Sequence, residues 1–257
     1  MNKPVLVFDI GNTLVKCAKR FAEKSSFAGA FPVARLIHYN ACLNWVDSLC
    51  KEAGIGDIEG AVLCSVLQSV TELVSDVLRD MFDIRPVVVN NAMSGLCVPY
   101  ENFGVDRTMA LLGAQRQDAG RGIIVVDAGT AITVDAIAKD GSIHAGPIAA
   151  GPGAMLEALV GKSGRLPLLK YSPRFESGNA STEECMQYGA TLAFAGLVRE
   201  AVSGFQNTLF AGEPALVVGT GGYIEALSGL GIVSRIRKDL VLAGCIDVYT
   251  RQKNNGG

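Results

Sequence analysis

The sequence has one tryptophan, two histidines and no Cys-x-x-Cys pair among its 257 residues. His38 and His144 stand apart with no partner residues in sequence, so both read as structural. A Ser–His–Asp or Cys–His nucleophile therefore has little support. The seven cysteines (Cys17, Cys42, Cys50, Cys64, Cys97, Cys185 and Cys245) are scattered and odd in number. That pattern argues against zinc and against a disulfide framework, and for reduced packing thiols in a cytoplasmic protein. Charge of one sign is also scarce: 23 Lys+Arg against 25 Asp+Glu leave a net −2. Such a balance gives no electrostatic footprint for nucleic acid or an anionic membrane, although a local basic pocket for a phosphate remains compatible with it. Mean hydropathy is +0.30, yet no uninterrupted apolar run approaches the length of a spanning helix. The run from Val5 to Phe8 ends at Asp9, too early for a secretion signal. A Gly-Lys-Ser or Gly-Lys-Thr phosphate loop is missing.

What is present is a repeat. Residues 5–16, VLVFDIGNTLVK, form an apolar run, an Asp-x-Gly-Asn-Thr turn and a second apolar run; residues 123–137, IIVVDAGTAITVDAI, do the same around Asp-x-Gly-Thr. Each reads as a buried strand, a glycine turn and a returning strand. Residues 69–82 have the apolar spacing of an amphipathic helix, with Ser69 and Glu72 placed as a capping box and strand candidates at 61–66 and 86–89. Residues 215–222 read as a strand ending in a glycine turn, with helices before and after it. This alternation predicts an α/β fold. The repeat predicts two similar domains, residues 1–118 and 119–257, with a cleft between them.

The first turn offers the parts of a phosphate clamp. Gly11 lets backbone approach closely, Asn12 and Thr13 can donate hydrogen bonds, Asp9 can hold a hydrated Mg²⁺, and Lys16 can reach a phosphate. A hairpin that needs Gly-Asn only to turn is the competing account. The second turn, Asp127-Ala128-Gly129-Thr130, offers the same carboxylate, glycine and hydroxyl, and turn chemistry alone does not explain the pair. Between the turns, Gly104 breaks the chain and Asp106 stands at the start of a helix. There it serves either as an N-cap or as a general base, with Arg107 beside it to stabilise phosphoryl charge. Ser181 and Glu184 fit a capping box and leave the Thr182 hydroxyl for a ligand. Thr220-Gly221-Gly222 either receives an adenine or makes a tight connection.

Together these residues resemble the type III pantothenate kinases, of the superfamily that includes acetate and sugar kinases, heat-shock chaperones and actin. The elements are DxGNT at Asp9–Thr13, Tyr100, Asn102 and the GxDR element at Gly104–Arg107, and DxGT at Asp127–Thr130. Arg165-Leu166-Pro167, Ser181-Thr182 before a helix containing Gly189, and the TGG turn complete the series. The resemblance implies two ribonuclease-H-like (actin-like ATPase) domains and a homodimer with pantothenate near the subunit interface. It also implies ATP-dependent phosphorylation of pantothenate, the first step towards coenzyme A. Asp106 would then be the base. Tyr100, Gly104, Val105, Asp106, Arg107 and Thr182 would contact pantothenate. Asp9, Ile10, Gly11, Asn12, Thr13, Leu14, Val15, Lys16 and Thr130 would hold ATP. Asp127 would bind a monovalent cation, K⁺ or NH₄⁺, and Asp9 would hold Mg²⁺ through water.

The sequence departs from the family pattern at Ala145–Gly151, where one glycine and the proline of the usual GGxIxPG are replaced. The spacer before Gly104 is short, and Lys16 occurs in only part of the family. Two other readings exist. One is a regulatory relative of the Bvg accessory factors, for which no basic helix-turn-helix is present. The other is a different activity of the superfamily, which the GxDR element disfavours.

Overall fold

The computed structural model describes residues 3–21, 24–36, 38–176 and 181–255. The chain divides into two compact units: residues 1–117 with 240–257, and residues 118–239. The elements of the first unit run β1 (Val5–Ile10), β2 (Leu14–Phe21), β3 (Lys24–Pro32), α1 (Tyr39–Glu52), β4 (Gly60–Ser65), α2 (Gln68–Phe82), β5 (Val87–Val88) and α3 (Val105–Gln117). Those of the second are β6 (Ile123–Ala128), β7 (Ala131–Ile137), β8 (Ile143–His144), β9 (Ile148–Ala150), α4 (Pro152–Lys162), α5 (Thr182–Thr208), β10 (Leu216–Thr220) and β11 (Arg235–Ile236). The last helix, α6 (Leu240–Asn255), returns to the first unit.

The repeat in sequence is a repeat in topology. The first sheet has the order β3-β2-β1-β4-β5; read from its β8 end, the second has β8-β7-β6-β10-β11. In each, the leading strand pairs antiparallel with the next strand in sequence and parallel with the strand that comes after the intervening helix. Strands β1 and β6 even share one burial pattern, fully buried except at the penultimate position, which holds Asp9 in one and Asp127 in the other. A strand flanked on both sides must be apolar on both faces, so a carboxylate near its end is a costly placement that packing alone does not require.

In the first unit, Leu6, Phe8 and Ile10 pack with Trp45, Val46 and Leu49 of α1 and with Val70, Val74, Val77 and Leu78 of α2. In the second, Ile124, Val126 and Ala128 pack with Phe194, Ala195, Val198 and Val202 of α5. Helix α3 is buried along its length from Arg107 to Ala114, as expected for a helix covered on every side.

The structure departs from the sequence reading in several places. Helix α6 belongs with the first unit, whereas the sequence reading placed all of 119–257 in the second. The cause is a close helix crossing. A Cβ on Gly113 would stand 2.1 Å from the carbonyl oxygen of Leu240, and one on Gly244 would stand 2.1 Å from that of Met109, so two bare glycines let α3 and α6 touch backbone to backbone. The box at Ser69 and Glu72 does not form. Helix α2 starts earlier, at Gln68 with Leu67 as N-cap, and the hydroxyl of Ser65 accepts the Leu67 N–H. At Ser181 the predicted cap is made, with Oγ accepting from Glu184 N–H at 3.2 Å. None of the seven cysteines is in a disulfide; Cys97 and Cys185 are exposed rather than packed. The TGG turn leads into a single 3-10 turn, Ile224–Leu227, in place of a helix.

Candidate active site

The first hairpin sets Asp9 opposite Lys16 on the neighbouring strand, with the Lys16 ammonium 3.3 Å from the carboxylate. The turn is closed by Gly11 N–H donating to the Leu14 carbonyl, and the Thr13 carbonyl accepts from Val33 N–H. Asn12 and Thr13 are exposed at the tip, where a ligand can reach them. Ile10 and Val15 are core residues, 1% and 0% exposed, so any part they take with a nucleotide is limited to the backbone. Leu14 is 40% exposed.

Asp9 has a side chain only 13% exposed. Burial pushes its carboxyl above the ordinary aspartate value; Lys16 pulls it back, and the charge of Asp106 raises it again. That last effect puts the two carboxylates within electrostatic reach of each other. Beside Asp9 lies Cys64, its ladder partner on the neighbouring parallel strand β4. Its thiol is driven well above the usual range by a hydrogen bond with Cys245 of α6, by burial and by the charges of Cys245, Asp9 and Asp106. It is therefore a neutral neighbour of Asp9.

Asp106 lies in the first turn of α3, and its Oδ1 accepts the N–H of Arg107 at 2.8 Å. The N-cap position falls to the segment before Val105. Gly104 is needed there for space: a Cβ would meet the Asp106 carboxylate oxygen at 2.6 Å. Arg107 is 8% exposed, an expensive burial for a group that cannot shed its charge. Its Nη1 donates to the Tyr100 hydroxyl at 3.0 Å, and its guanidinium carbon lies 4.4 Å from the centroid of the Phe103 ring. Tyr100 in turn meets Phe103 edge to face, with centroids 5.4 Å apart.

Sequence reasoning missed three residues that hold this segment. Asn91 donates from Nδ2 to the Phe103 carbonyl at 2.7 Å and accepts from the Thr108 hydroxyl at 2.8 Å, tying the strand-side loop to α3. Phe103 is the third. Helical spacing gave no signal for Phe103, because Tyr100 and Phe103 lie in the turn before α3, closed by Phe103 N–H donating to the Tyr100 carbonyl at 3.1 Å.

In the second unit, Asp127 is half-buried at the end of β6 and Thr130 is exposed in the turn. That turn is pressed from two sides. A Cβ on Gly151 would sit 2.1 Å from the Gly129 carbonyl oxygen. One on Gly221, whose φ is +92°, would sit 2.5 Å from the Ala128 backbone. Gly221 of the TGG turn thus has an intramolecular reason to be bare, whereas a Cβ on Gly222 would meet open space. Gly146 N–H donates to the buried Asp135 carboxylate at 3.0 Å, which anchors the departed Ala145–Gly151 element. Thr182 is exposed at the first position of α5. Asp9, Lys16, Tyr100, Asp106 and Arg107 are thus assembled in the first unit; Asp127, Thr130 and Thr182 belong to the second.

A duplicated mixed sheet, each copy ending in an acidic glycine hairpin, defines a protein of the actin-like ATPase fold. The structure of MreB 5 of Spiroplasma citri bound to AMPPNP superposes with a TM-score of 0.52 at 13% identity, covering 99% of this chain and 98% of that one. A putative Baf family transcriptional activator from Campylobacter jejuni superposes with a TM-score of 0.62 at 17% identity, covering 97% and 99%. The family model for type III pantothenate kinase matches residues 5–204. A type III pantothenate kinase of Dehalococcoides mccartyi is 32% identical over 212 residues, 80% of each chain. One of Moorella thermoacetica is 29% identical over 268 aligned positions, 96% of this chain and 99% of the relative. The chain belongs to the type III pantothenate kinase family. It is thereby an ATP-dependent kinase of pantothenate in coenzyme A biosynthesis, using ATP with a divalent metal.

Proposed function

We propose that Asp106 is the general base of this reaction, taking the proton from the pantothenate hydroxyl as its oxygen attacks the γ-phosphorus of ATP. The observation that carries the reading is the placement of Asp106 in the first turn of the buried helix α3, next to the buried Arg107 and in the same unit as the Asp9–Lys16 turn. The surroundings of Asp9 and Asp106 divide the labour. Asp9 is paired with Lys16 on a phosphate-binding turn. Asp106 is fixed at the start of a buried helix by the next backbone N–H.

Phosphoryl transfer asks a protein mainly for positioning, charge stabilisation and one proton acceptor. The turn from Asp9 to Lys16, with Thr130, holds the ATP phosphates. Tyr100, Gly104, Val105, Arg107 and Thr182 hold pantothenate. A hard oxygen donor beside a second carboxylate fits Mg²⁺, which keeps several waters and binds through one or two carboxylates plus phosphate. Asp9 would hold that ion through water, and the ion would neutralise charge on the phosphates. Asp127 takes K⁺ or NH₄⁺. We also infer a homodimer, to be read by sedimentation, and a cytoplasmic setting in which the seven thiols, none in a disulfide, stay reduced. Among the described residues no helix is long and apolar enough to cross a membrane.

Replacing the base tests the reading. Asp106→Asn lowers kcat by about 10²–10⁴-fold while ATP binding, measured by calorimetry, persists. Near-normal turnover in the folded variant removes Asp106 from the mechanism. The name of the Campylobacter protein favours a second reading, a regulatory relative. The net charge of −2 weighs against direct duplex binding. Specific DNA binding that weakens steeply with salt would establish it.

A further inference from the structure

We infer that Phe103 is a positioning residue for substrate binding, acting through Arg107 and Tyr100. The inference rests on the proposed function, in which those two residues touch pantothenate. Phe103 is 3% exposed and has no route to the substrate itself. Its ring meets both proposed substrate residues at once: the Arg107 guanidinium stacks over its face, and the Tyr100 ring meets it edge to face. Its backbone is held on both sides, with its N–H donating to the Tyr100 carbonyl at 3.1 Å and its carbonyl accepting from Asn91.

The physics favours this role over mere filling. An arginine side chain has many rotamers, and ordering one on binding costs affinity that a preorganised site does not lose. A flat aromatic face fixes the guanidinium plane in a way an aliphatic residue of similar size does not, and the attraction is largest where water is excluded. Arg107 is buried, so this site is of that kind. The Tyr100 hydroxyl then sets the rotation of the same plane from its edge. Tyr100 is 47% exposed, placing it at the rim where a substrate arrives, while Phe103 and Arg107 lie behind it. Phe103 therefore governs the KM for pantothenate and leaves the phosphate-binding turn untouched.

The test replaces Phe103 in the full-length protein with phenylalanines carrying one, two and three ring fluorines, which weaken the ring's pull on a cation while nearly preserving its shape. The expected result is a stepwise rise in the KM for pantothenate, reaching about fivefold to thirtyfold for the trifluoro ring, as ~1–2 kcal/mol of cation–π attraction is lost. kcat and the KM for ATP stay close to wild type, while the Tm falls by about 2–8 °C because the same attraction is lost from the folded chain. Arg107→Gln is measured alongside. If Arg107→Gln raises the KM for pantothenate and the fluorinated series leaves it flat, Phe103 only fills space and the inference is wrong. If Arg107→Gln leaves that KM unchanged, Arg107 does not bind the substrate and the underlying reading fails first. A fluorinated series that lowers kcat at constant KM also overturns the inference, because it would place Arg107 on the transferring phosphoryl group instead.

Discussion

Gly104→Ala is a one-carbon probe of where the Asp106 carboxylate has to be. Gly104 does not have a left-handed φ, so alanine brings no backbone strain of its own. The added Cβ would lie 2.6 Å from the Asp106 Oδ1 and 3.3 Å from the Arg107 Cδ. The carboxylate must retreat by the better part of an ångström, by leaving its rotamer at about 0.5–1.5 kcal/mol. That strain predicts a small loss of stability, a Tm drop of about 1–6 °C for a chain of this length. Catalysis suffers far more, because a misplacement of ~1 Å in a reacting group costs about 10²-fold. The expected kcat is therefore about 10- to 100-fold below wild type, with ATP binding retained. The assay is a double-mutant cycle of coupled ADP release in the wild-type and Asp106→Asn backgrounds. In the second background the base is already gone, so alanine at 104 should lower kcat by less than about threefold. A folded Gly104→Ala enzyme with normal turnover, or an equal penalty in both backgrounds, refutes the idea that this glycine exists to seat the base.

Three further outcomes are expected. Burial raises the Asp9 carboxyl in the folded chain, so its ionised form, which phosphate-bound metal requires, is lost as pH falls through that raised value. The acid limb of kcat/KM for ATP therefore lies above the ordinary aspartate range, and Lys16→Met, which removes the opposing cation, moves it higher; a limb at the ordinary position contradicts this. By the same sign, the buried carboxyl costs folding stability in full above its raised folded pKa, and that cost fades as pH falls from there to the ordinary aspartate value. Rates in K⁺ or NH₄⁺ should exceed those in Na⁺, with Asp127→Asn abolishing the difference; equal rates in all three salts deny Asp127 a cation. Gly244→Ala sets a methyl 2.1 Å from the Met109 carbonyl oxygen, which is backbone and cannot swing aside. It should cost about 2–3 kcal/mol and lower the Tm by about 4–12 °C in a calorimetric scan.

The two hairpins were legible because glycine, carboxylate and apolar runs fix a strand–turn–strand locally, and their repetition announced a duplicated sheet. Asp106 was legible as a helix-start acid for the same local reason. The destination of α6 was not, since nothing within 240–255 says which unit it joins; that is decided by Gly113 and Gly244 meeting across 131 positions of chain. The start of α2 slipped because the helix begins at Gln68, with Leu67 as an N-cap that makes no side-chain cap bond, while Ser65 at the end of β4 turns the chain by accepting the Leu67 N–H. The sequence left the TGG turn open as a ligand surface or a tight connection, and at Gly221 it is the close approach of the Ala128 backbone that requires a bare glycine. Asn91 escaped notice because its bonds to Phe103 and Thr108 join a loop to a helix more than ten residues away.

The central claim, that this chain transfers phosphate from ATP to pantothenate, is tested most directly by ADP release from purified protein with ATP, Mg²⁺ and K⁺, with and without pantothenate. The account predicts release that depends on pantothenate, with a product heavier by one phosphoryl group. Release that is indifferent to pantothenate, or none from the folded protein, would contradict it.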